Sequence, residues 1–220
     1  MINSYRLTPR GLQPVDDINS EVLLFIDPDS EECEQLKKRF HIDEHGLASA
    51  LDPDEVSRIE FHPDSLFLIW KRPQNYSGGD SFSFEVSSFG LLLSDDRLVL
   101  IAPDDSQMHG LGERHPLLTP LDVLLDMLFG NVHHYLGHLK VIKMVARELQ
   151  QRFNSSMQNH HLVQMFNLSE SLIYYINAIH SKRTWPQRYR RADYRAHRAM
   201  RVKNQTIAPP IASIASSSNG

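Results

Sequence analysis

The sequence predicts an α/β fold, of the α+β kind, in which a mixed β-sheet is flanked by helices and followed by a long helical hairpin. Two short amphipathic segments near the start have helical spacing, and the apolar segments after them alternate with a period of two residues. Beyond Thr119 the apolar period lengthens to 3.5 residues and holds through Phe153. We therefore expect three parts: an α/β domain over residues 1–118, long helices over residues 119–180, and a tail over residues 181–220.

The elements of the predicted domain follow from its turn residues and caps. EVLLFI, at residues 21–26, is a short apolar run between turn residues and indicates a buried strand. The helix after it can be capped by Asp29 or Ser30. A shorter helix fits residues 43–51 and ends before Pro53, because the residue before a proline avoids helical geometry. The strands that follow are SRIEFH, SLFLIWK, SFSFEV, SFGLLL and RLVLIA.

The long helix begins at Thr119-Pro120, which combines a threonine cap with a proline in the first turn. At 1.5 Å per residue it would be about 50 Å long, and its sustained 3.5-residue period requires a partner helix. A second apolar string with the same spacing follows a turn near residues 154–156, so we expect a helical hairpin that also associates with other chains. The two strings are Leu121, Leu125, Leu128, Val132, Tyr135, Leu139, Ile142, Ala146, Leu149 and Phe153, then Met165, Leu168, Leu172, Tyr175 and Ile179.

Charge is distributed unevenly along the 220 residues. The net charge is −4, yet residues 181–220 hold nine basic residues and one acid, a net charge of +8. Arginines interleaved with Trp185 and Tyr189 would suit single-stranded nucleic acid, and they could instead contact anionic lipid. We favour a third interpretation, a basic and then Pro/Ser-rich segment that is disordered.

The single cysteine, Cys33, excludes an intramolecular disulfide and, on an apolar helix face, indicates a buried structural thiol.

No pattern of a catalytic site is present, so we do not expect an enzyme. The acidic stretch at residues 40–73 places its carboxylates at helix caps and turns, which are ordinary structural positions. His41 with His45, and His134 with His138, are i, i+4 pairs that put two imidazoles on one helical face. Zinc needs three or four ligands, and such a pair supplies two. A solvated helix face is the ordinary role of these pairs, and a metal site at His134 and His138 is the alternative.

The order of these motifs resembles the cytoplasmic domain of CorA-type magnesium and divalent-cation transporters. The resemblance covers about residues 20–180 and rests on an ordered series of motifs. These are LLFIDPDSEECEQLKKRFHIDEHGLASALDPDE, FHPDSLFLIWKRP, FGLLLSDDRLVLIAPDD and LLTPLDVLLDMLFGNVHHYLGHL. Phe25, Asp27, Leu36, Phe40, Ala48, Leu51, Asp52, Phe67 and Leu68 match the pattern of that family.

Some residues depart from the family pattern. Members usually have Glu-Asp where this chain has Ser49-Ala50, and Arg-Pro-Lys near Val56-Ser57-Arg58. Members end in two membrane helices with a Gly-Met-Asn signature, and this chain has neither. Because the chain leaves the expected pattern near Ser181, we interpret it as a truncated, shortened or frame-altered product without an ion pore.

The resemblance implies a regulatory domain on the cytoplasmic side of the inner or plasma membrane, beneath a homopentameric pore. This chain alone would be soluble and cytoplasmic, with its helices joining it to further copies. Regulatory Mg²⁺ would bind weakly between subunits, with Co²⁺, Ni²⁺ or Zn²⁺ as alternatives. Asp80 is the nearest positional candidate for a metal ligand, although its ordinary role would be a turn residue beside Gly79. Two other functions stay open: a stand-alone oligomeric scaffold, and nucleic-acid binding through the basic tail.

Overall fold

A seven-stranded mixed sheet forms the first part of the molecule, as the sequence predicts. The computed structural model describes residues 1–9, 11–74, 84–113, 115–155 and 159–183. The strands are β1 (Ile2–Thr8), β2 (Gly11–Val15), β3 (Val22–Ile26), β4 (Arg58–Phe61), β5 (Ser65–Pro73), β6 (Val86–Ser94) and β7 (Leu98–Ala102). Their order is β2-β1-β3-β7-β6-β5-β4, in which β3 and β7 are parallel and the other neighbours are antiparallel.

Two strands were not predicted, and one prediction is corrected. The hairpin of β1 and β2 lies at the sheet edge, where Gly11 and Pro14 weaken the strand signal in the sequence. SFSFEV was expected to form a strand of its own. Residues 81–83 of this segment lie outside the described residues, while Phe84 and Glu85 precede β6 and Val86 begins it. Within the described part, the segment is therefore the entry to β6.

The predicted helices near the start are confirmed as α1 (Ser30–Phe40) and α2 (Glu44–Leu51). Asp29, not Ser30, caps α1, because its carboxylate accepts hydrogen bonds from two N–H groups of the first turn. Both helices cover one face of the sheet, where Leu36 is completely buried among strand residues. Cys33 packs against the same core, and burial raises the pKa of its thiol, as expected of a structural cysteine.

The long helix is unbroken, as predicted, and runs over α3 (Pro120–Ser155) before the second helix, α4 (Asn159–Arg183). The first turns of α3 contact β5, β6 and β7. Side chains alternate along these strands, so the buried Leu68, Leu91 and Leu100 point away from the α1–α2 core, and α3 covers that opposite face. Within the described ranges, every helix lacks the combination of length and apolarity that spanning a bilayer requires.

The predicted tail over residues 181–220 overlaps the described residues only slightly. Residues 181–183 belong to α4, and residues 184–220 lie outside the described part of the chain. The expectation that the tail is disordered, and the nucleic-acid and lipid alternatives attached to it, therefore stay predictions. The domain boundaries at residues 118 and 180 also stay predictions.

Candidate functional site

The acidic stretch between α1 and β5 ends one helix and begins the next. Asp43 caps α2 by accepting a hydrogen bond from the N–H of Gly46 at 2.6 Å. His41 ends α1 in left-handed backbone with φ of 56°. The carboxylate of Asp52, just after α2, accepts a hydrogen bond from the N–H of Asp54 at 2.9 Å. The predicted structural role is thus confirmed for the acids at positions 43 and 52.

The predicted histidine pair lies where α3 meets α4. The ring centroids of His134 and His138 are 4.5 Å apart, and Nδ1 of His138 is hydrogen-bonded to the hydroxyl of Tyr175 at 2.6 Å. Burial, with a smaller contribution from His134, lowers the pKa of His138 to about 4. Burial and the charge of Arg72 lower the pKa of His134. Both imidazoles are therefore neutral at pH 7, which is the form that binds metals.

The surroundings of this pair supply few additional metal ligands. Across the described ranges, the histidine, cysteine and acidic side chains do not form groups of three that could hold a metal ion. Asp80, the other predicted metal ligand, lies outside those ranges, and the nearest described residues on either side of it are Gln74 and Phe84. Metal binding at His134 and His138, or at Asp80, accordingly stays a proposal.

Two polar connections that the sequence did not reveal tie the segment after β7 to β5 and to α3. The guanidinium of Arg72, at the end of β5, forms an ion pair with Asp104 and a hydrogen bond with Ser106. Farther along, the completely buried Asp126 of α3 accepts a hydrogen bond from the N–H of Gly112 at 2.9 Å and lies 3.5 Å from Nε2 of His115. A polar cavity of about 320 Å³ lies between these two connections. The one sequence signal was an acid inside the apolar run LLDMLF.

A second cavity, of about 630 Å³, separates the α/β domain from α4. The domain contributes Asp54, Gln74 and Glu85 to its wall, and α4 contributes Glu170 and Tyr174, among others. Carboxylates therefore face this space from both sides. Gln74 and Phe84, the described residues on either side of the segment that contains Asp80, both belong to this wall.

The outer faces of α3 and α4 carry an apolar surface, which we call the outer stripe. The predicted string of apolar residues on α3 is divided: Leu128, Tyr135 and Ile142 point inward and are buried, whereas other members are exposed. Large apolar side chains recur every three or four residues on the outside of α3, and further exposed ones follow on α4. The outer stripe consists of Leu121, Leu125, Phe129, Val132 and Leu136 on α3, and Leu162, Phe166, Ile173 and Ile176 on α4.

Comparison with known proteins places the fold. The soluble domain of CorA from Methanocaldococcus jannaschii superposes with a TM-score of 0.67 and 18% identity, over 84% of this chain and 76% of that one. The cytoplasmic domain of ZntB from Vibrio parahaemolyticus gives a TM-score of 0.58 and 13% identity, over 81% of this chain and 74% of that one. At these identities the likeness establishes the fold alone.

The complete CorA magnesium transporter from Methanocaldococcus jannaschii is similar over 97% of this chain, with a TM-score of 0.63 and 18% identity. This chain spans 65% of the length of that transporter. No curated protein sequence matches the chain. The model of the family described as CorA-like Mg²⁺ transporter protein matches residues 23–208, from β3 through both long helices and beyond. This chain belongs to the CorA-like Mg²⁺ transporter family.

Proposed function

We propose that this chain is the regulatory domain of a CorA-like transporter of Mg²⁺ or a related divalent cation. In this role it would lie on the cytoplasmic side of the membrane, sense the internal cation and control a pore that the described residues do not contain. The observation that carries the proposal is the family match over residues 23–208, which runs from β3 of the α/β domain through both long helices. The proposed activity of the whole transporter is cation transport, and no catalytic role is proposed for any side chain of this chain.

Assembly with further copies of the chain is the second part of the proposal. The outer stripe leaves Phe129, Leu136 and Phe166 between 51% and 72% exposed. Large apolar side chains exposed in such numbers are typical of protein interfaces, because covering them removes apolar area from water. A homo-oligomer through the long helices follows, and the resemblance to the family favours a pentamer.

Cation sensing is the third part. Mg²⁺ keeps most of its water and needs only one or two protein carboxylates, so a subunit interface can supply an adequate site. Asp80 remains the proposed ligand. Glu85 and Glu170, on the wall of the cavity between the domain and α4, are further carboxylates that the chain supplies. His134 and His138 are the alternative for Zn²⁺, Ni²⁺ or Co²⁺, which prefer imidazole ligands more than Mg²⁺ does. Removal of the cation would leave acids facing one another and loosen the assembly.

The mass of the full chain in solution, measured by light scattering in Mg²⁺ and again in EDTA at equal ionic strength, tests the proposal. Mg²⁺-dependent assembly is the expected result. An oligomer indifferent to the metal would favour the stand-alone scaffold, and a monomer in both buffers would contradict both functions. Asp80→Ala should weaken the Mg²⁺ response, whereas Asp95→Ala, which changes an exposed turn aspartate between β6 and β7, should not.

A further inference from the structure

The entry to β6 makes an unusual contact with both long helices. Phe84 is 1% exposed, and its ring lies edge-on to the rings of His138 on α3 and Tyr175 on α4, with centroids 6.0 and 6.2 Å away. Its backbone N–H donates a hydrogen bond to the hydroxyl of Ser171 on α4 at 3.1 Å. We call this arrangement the Phe84 contact.

The Phe84 contact is tied firmly to the sheet. The residue after it, Glu85, accepts a hydrogen bond from the N–H of Gln74 at 2.9 Å, and Val86 then pairs with Pro73 at the end of the β5–β6 ladder. A displacement of Phe84 therefore has to move the ends of both strands. The β5–β6 ladder therefore fixes the position of the Phe84 side chain relative to the sheet.

The same contact is tied firmly to the helices. His138 and Tyr175 are themselves hydrogen-bonded to one another, and the ring of Tyr175 also packs edge-on against Tyr135 at 5.4 Å. The buried cluster around them contains two residues from the sheet side, Phe84 and Val86, and its other members belong to α3 and α4. The side chain of Phe84 thus contacts both α3 and α4 where the hydrogen bond between His138 and Tyr175 links the two helices.

The surroundings leave α4 room to move about this point. The cavity of about 630 Å³ lies beside the Phe84 contact, between the domain and residues 167–174 of α4. By contrast, α3 packs broadly against β5, β6 and β7. The position of α3 is accordingly fixed by a large surface, whereas α4 meets the sheet through a small one.

We propose that Phe84 is a positioning residue that couples the α/β domain to α4, so that a shift at the β5–β6 end of the sheet changes the position of α4. This inference deepens the proposed function and rests on it for its biological meaning. A cation bound near the segment between β5 and β6 would act on the helices through this side chain. The contact itself exists whether or not a cation regulates the protein, and the experiment separates the two questions.

Distances between spin labels on the full chain test the coupling. Cys33→Ala removes the native thiol. Asp95→Cys between β6 and β7, Ser169→Cys on α4 and Lys140→Cys on α3 then introduce labelling sites at exposed positions. The labelled chain is diluted with unlabelled chain, so that distances within one molecule are measured. In EDTA, Phe84→Ala should broaden the distribution between positions 95 and 169 and leave that between positions 95 and 140 unchanged.

Matched variants keep the test decisive. Phe67→Ala removes an equally large buried ring from the core under α1 and α2, so it should broaden neither distribution. Ser171→Ala and Phe84→Leu weaken the contact more gently and should give a smaller broadening if Phe84→Ala fails to fold. An unchanged distribution between positions 95 and 169 in these variants, or equal broadening of both distributions, overturns the proposal.

A second measurement in Mg²⁺ addresses the function. If Mg²⁺ shifts the distance between positions 95 and 169 in the parent chain and not in Phe84→Leu, coupling and cation sensing are both supported. If Mg²⁺ has no effect on the parent while the Phe84 variants still broaden the distribution, the coupling holds and the proposed cation sensing is wrong.

Discussion

The imidazole of His138 and the hydroxyl of Tyr175 are 2.6 Å apart and join α3 to α4 inside an otherwise aromatic and aliphatic cluster. The two side chains are 5% and 0% exposed, so water does not replace this hydrogen bond when it is broken. Burial also raises the pKa of Tyr175 above its ordinary value, which keeps the hydroxyl protonated at every working pH. The hairpin is therefore held by a neutral polar pair, because burial disfavours the charged form of the imidazole.

Stability should consequently fall when the pH falls from about 6.5 to about 4. The pKa of His138 drops from 6.5 to about 4 on folding, so between these values the unfolded chain binds a proton that the folded chain does not. The contribution is complete above pH 6.5, and about 3 kcal/mol of the free energy of unfolding is lost once the pH passes below 4. Urea unfolding at a series of pH values measures it.

A matched pair of variants isolates this contribution. His138→Gln should reduce the pH dependence in this window, because this side chain no longer titrates, and leave the part that the lowered pKa of His134 contributes. His133→Gln changes an exposed histidine on the same helix and should leave the slope as it is. An unaltered slope in His138→Gln would assign the pH dependence to other groups and contradict the prediction.

The buried Asp126 should be sensitive to loss of its hydrogen-bond capacity. Asp126→Leu leaves the N–H of Gly112 without this acceptor and removes the negative charge near His115, so we expect unfolding to become easier by about 1–3 kcal/mol. Glu148→Gln changes an exposed carboxylate on the same helix and should cost well under about 1 kcal/mol. Hydrogen exchange at the Gly112 amide should accelerate in the Leu variant alone, and equal protection in both variants would be evidence against the connection.

The cap of α1 distinguishes two neighbouring residues that the sequence left as alternatives. Asp29→Ala removes the acceptor for two N–H groups and the capping box with Glu32, so a loss of about 1 kcal/mol is expected. Ser30→Ala should change stability little, because Ser30 is the first residue of the helix and alanine suits that position. Thermal unfolding of both variants measures the difference, and a larger effect at Ser30 would contradict the assigned cap.

Local sequence patterns predicted the helices and strands of this fold better than they predicted the contacts between residues far apart in the sequence. The length of α3 followed from the unbroken apolar string after Thr119, and α1 and α2 followed from caps and apolar spacing. The edge hairpin of β1 and β2 was not predicted, because Pro14 is a poor strand residue and only its position at the edge makes it tolerable.

The part of the fold that was not predicted depends on contacts between residues far apart in the sequence. His138 and Tyr175 are 37 positions apart, and Phe84 reaches Ser171 across 87. Periodicity places each residue on a helix face, and it does not say which face meets which neighbour. For the same reason the sequence predicted a hairpin that also meets other chains without saying which residues of the α3 string serve which contact, whereas the structure divides the string between a buried inner face and the outer stripe.

That division yields a final prediction about association. Leu136 is 51% exposed in the single chain, so Leu136→Lys should leave folding intact and place a charge on the outer stripe, at its last α3 position. Burying an unpaired ammonium group in an apolar interface is strongly unfavourable, and the substitution also removes apolar area that assembly would cover. We therefore expect the oligomer to dissociate at least tenfold more easily, about 1.4 kcal/mol, in sedimentation experiments over a range of concentrations.

Glu148→Lys makes a larger change in charge at an exposed polar position of the same helix, so it separates the loss of apolar contact from a general effect of charge. If both variants weaken association equally, the interface does not include the outer stripe, and the part of the proposed function that depends on assembly through the long helices is wrong.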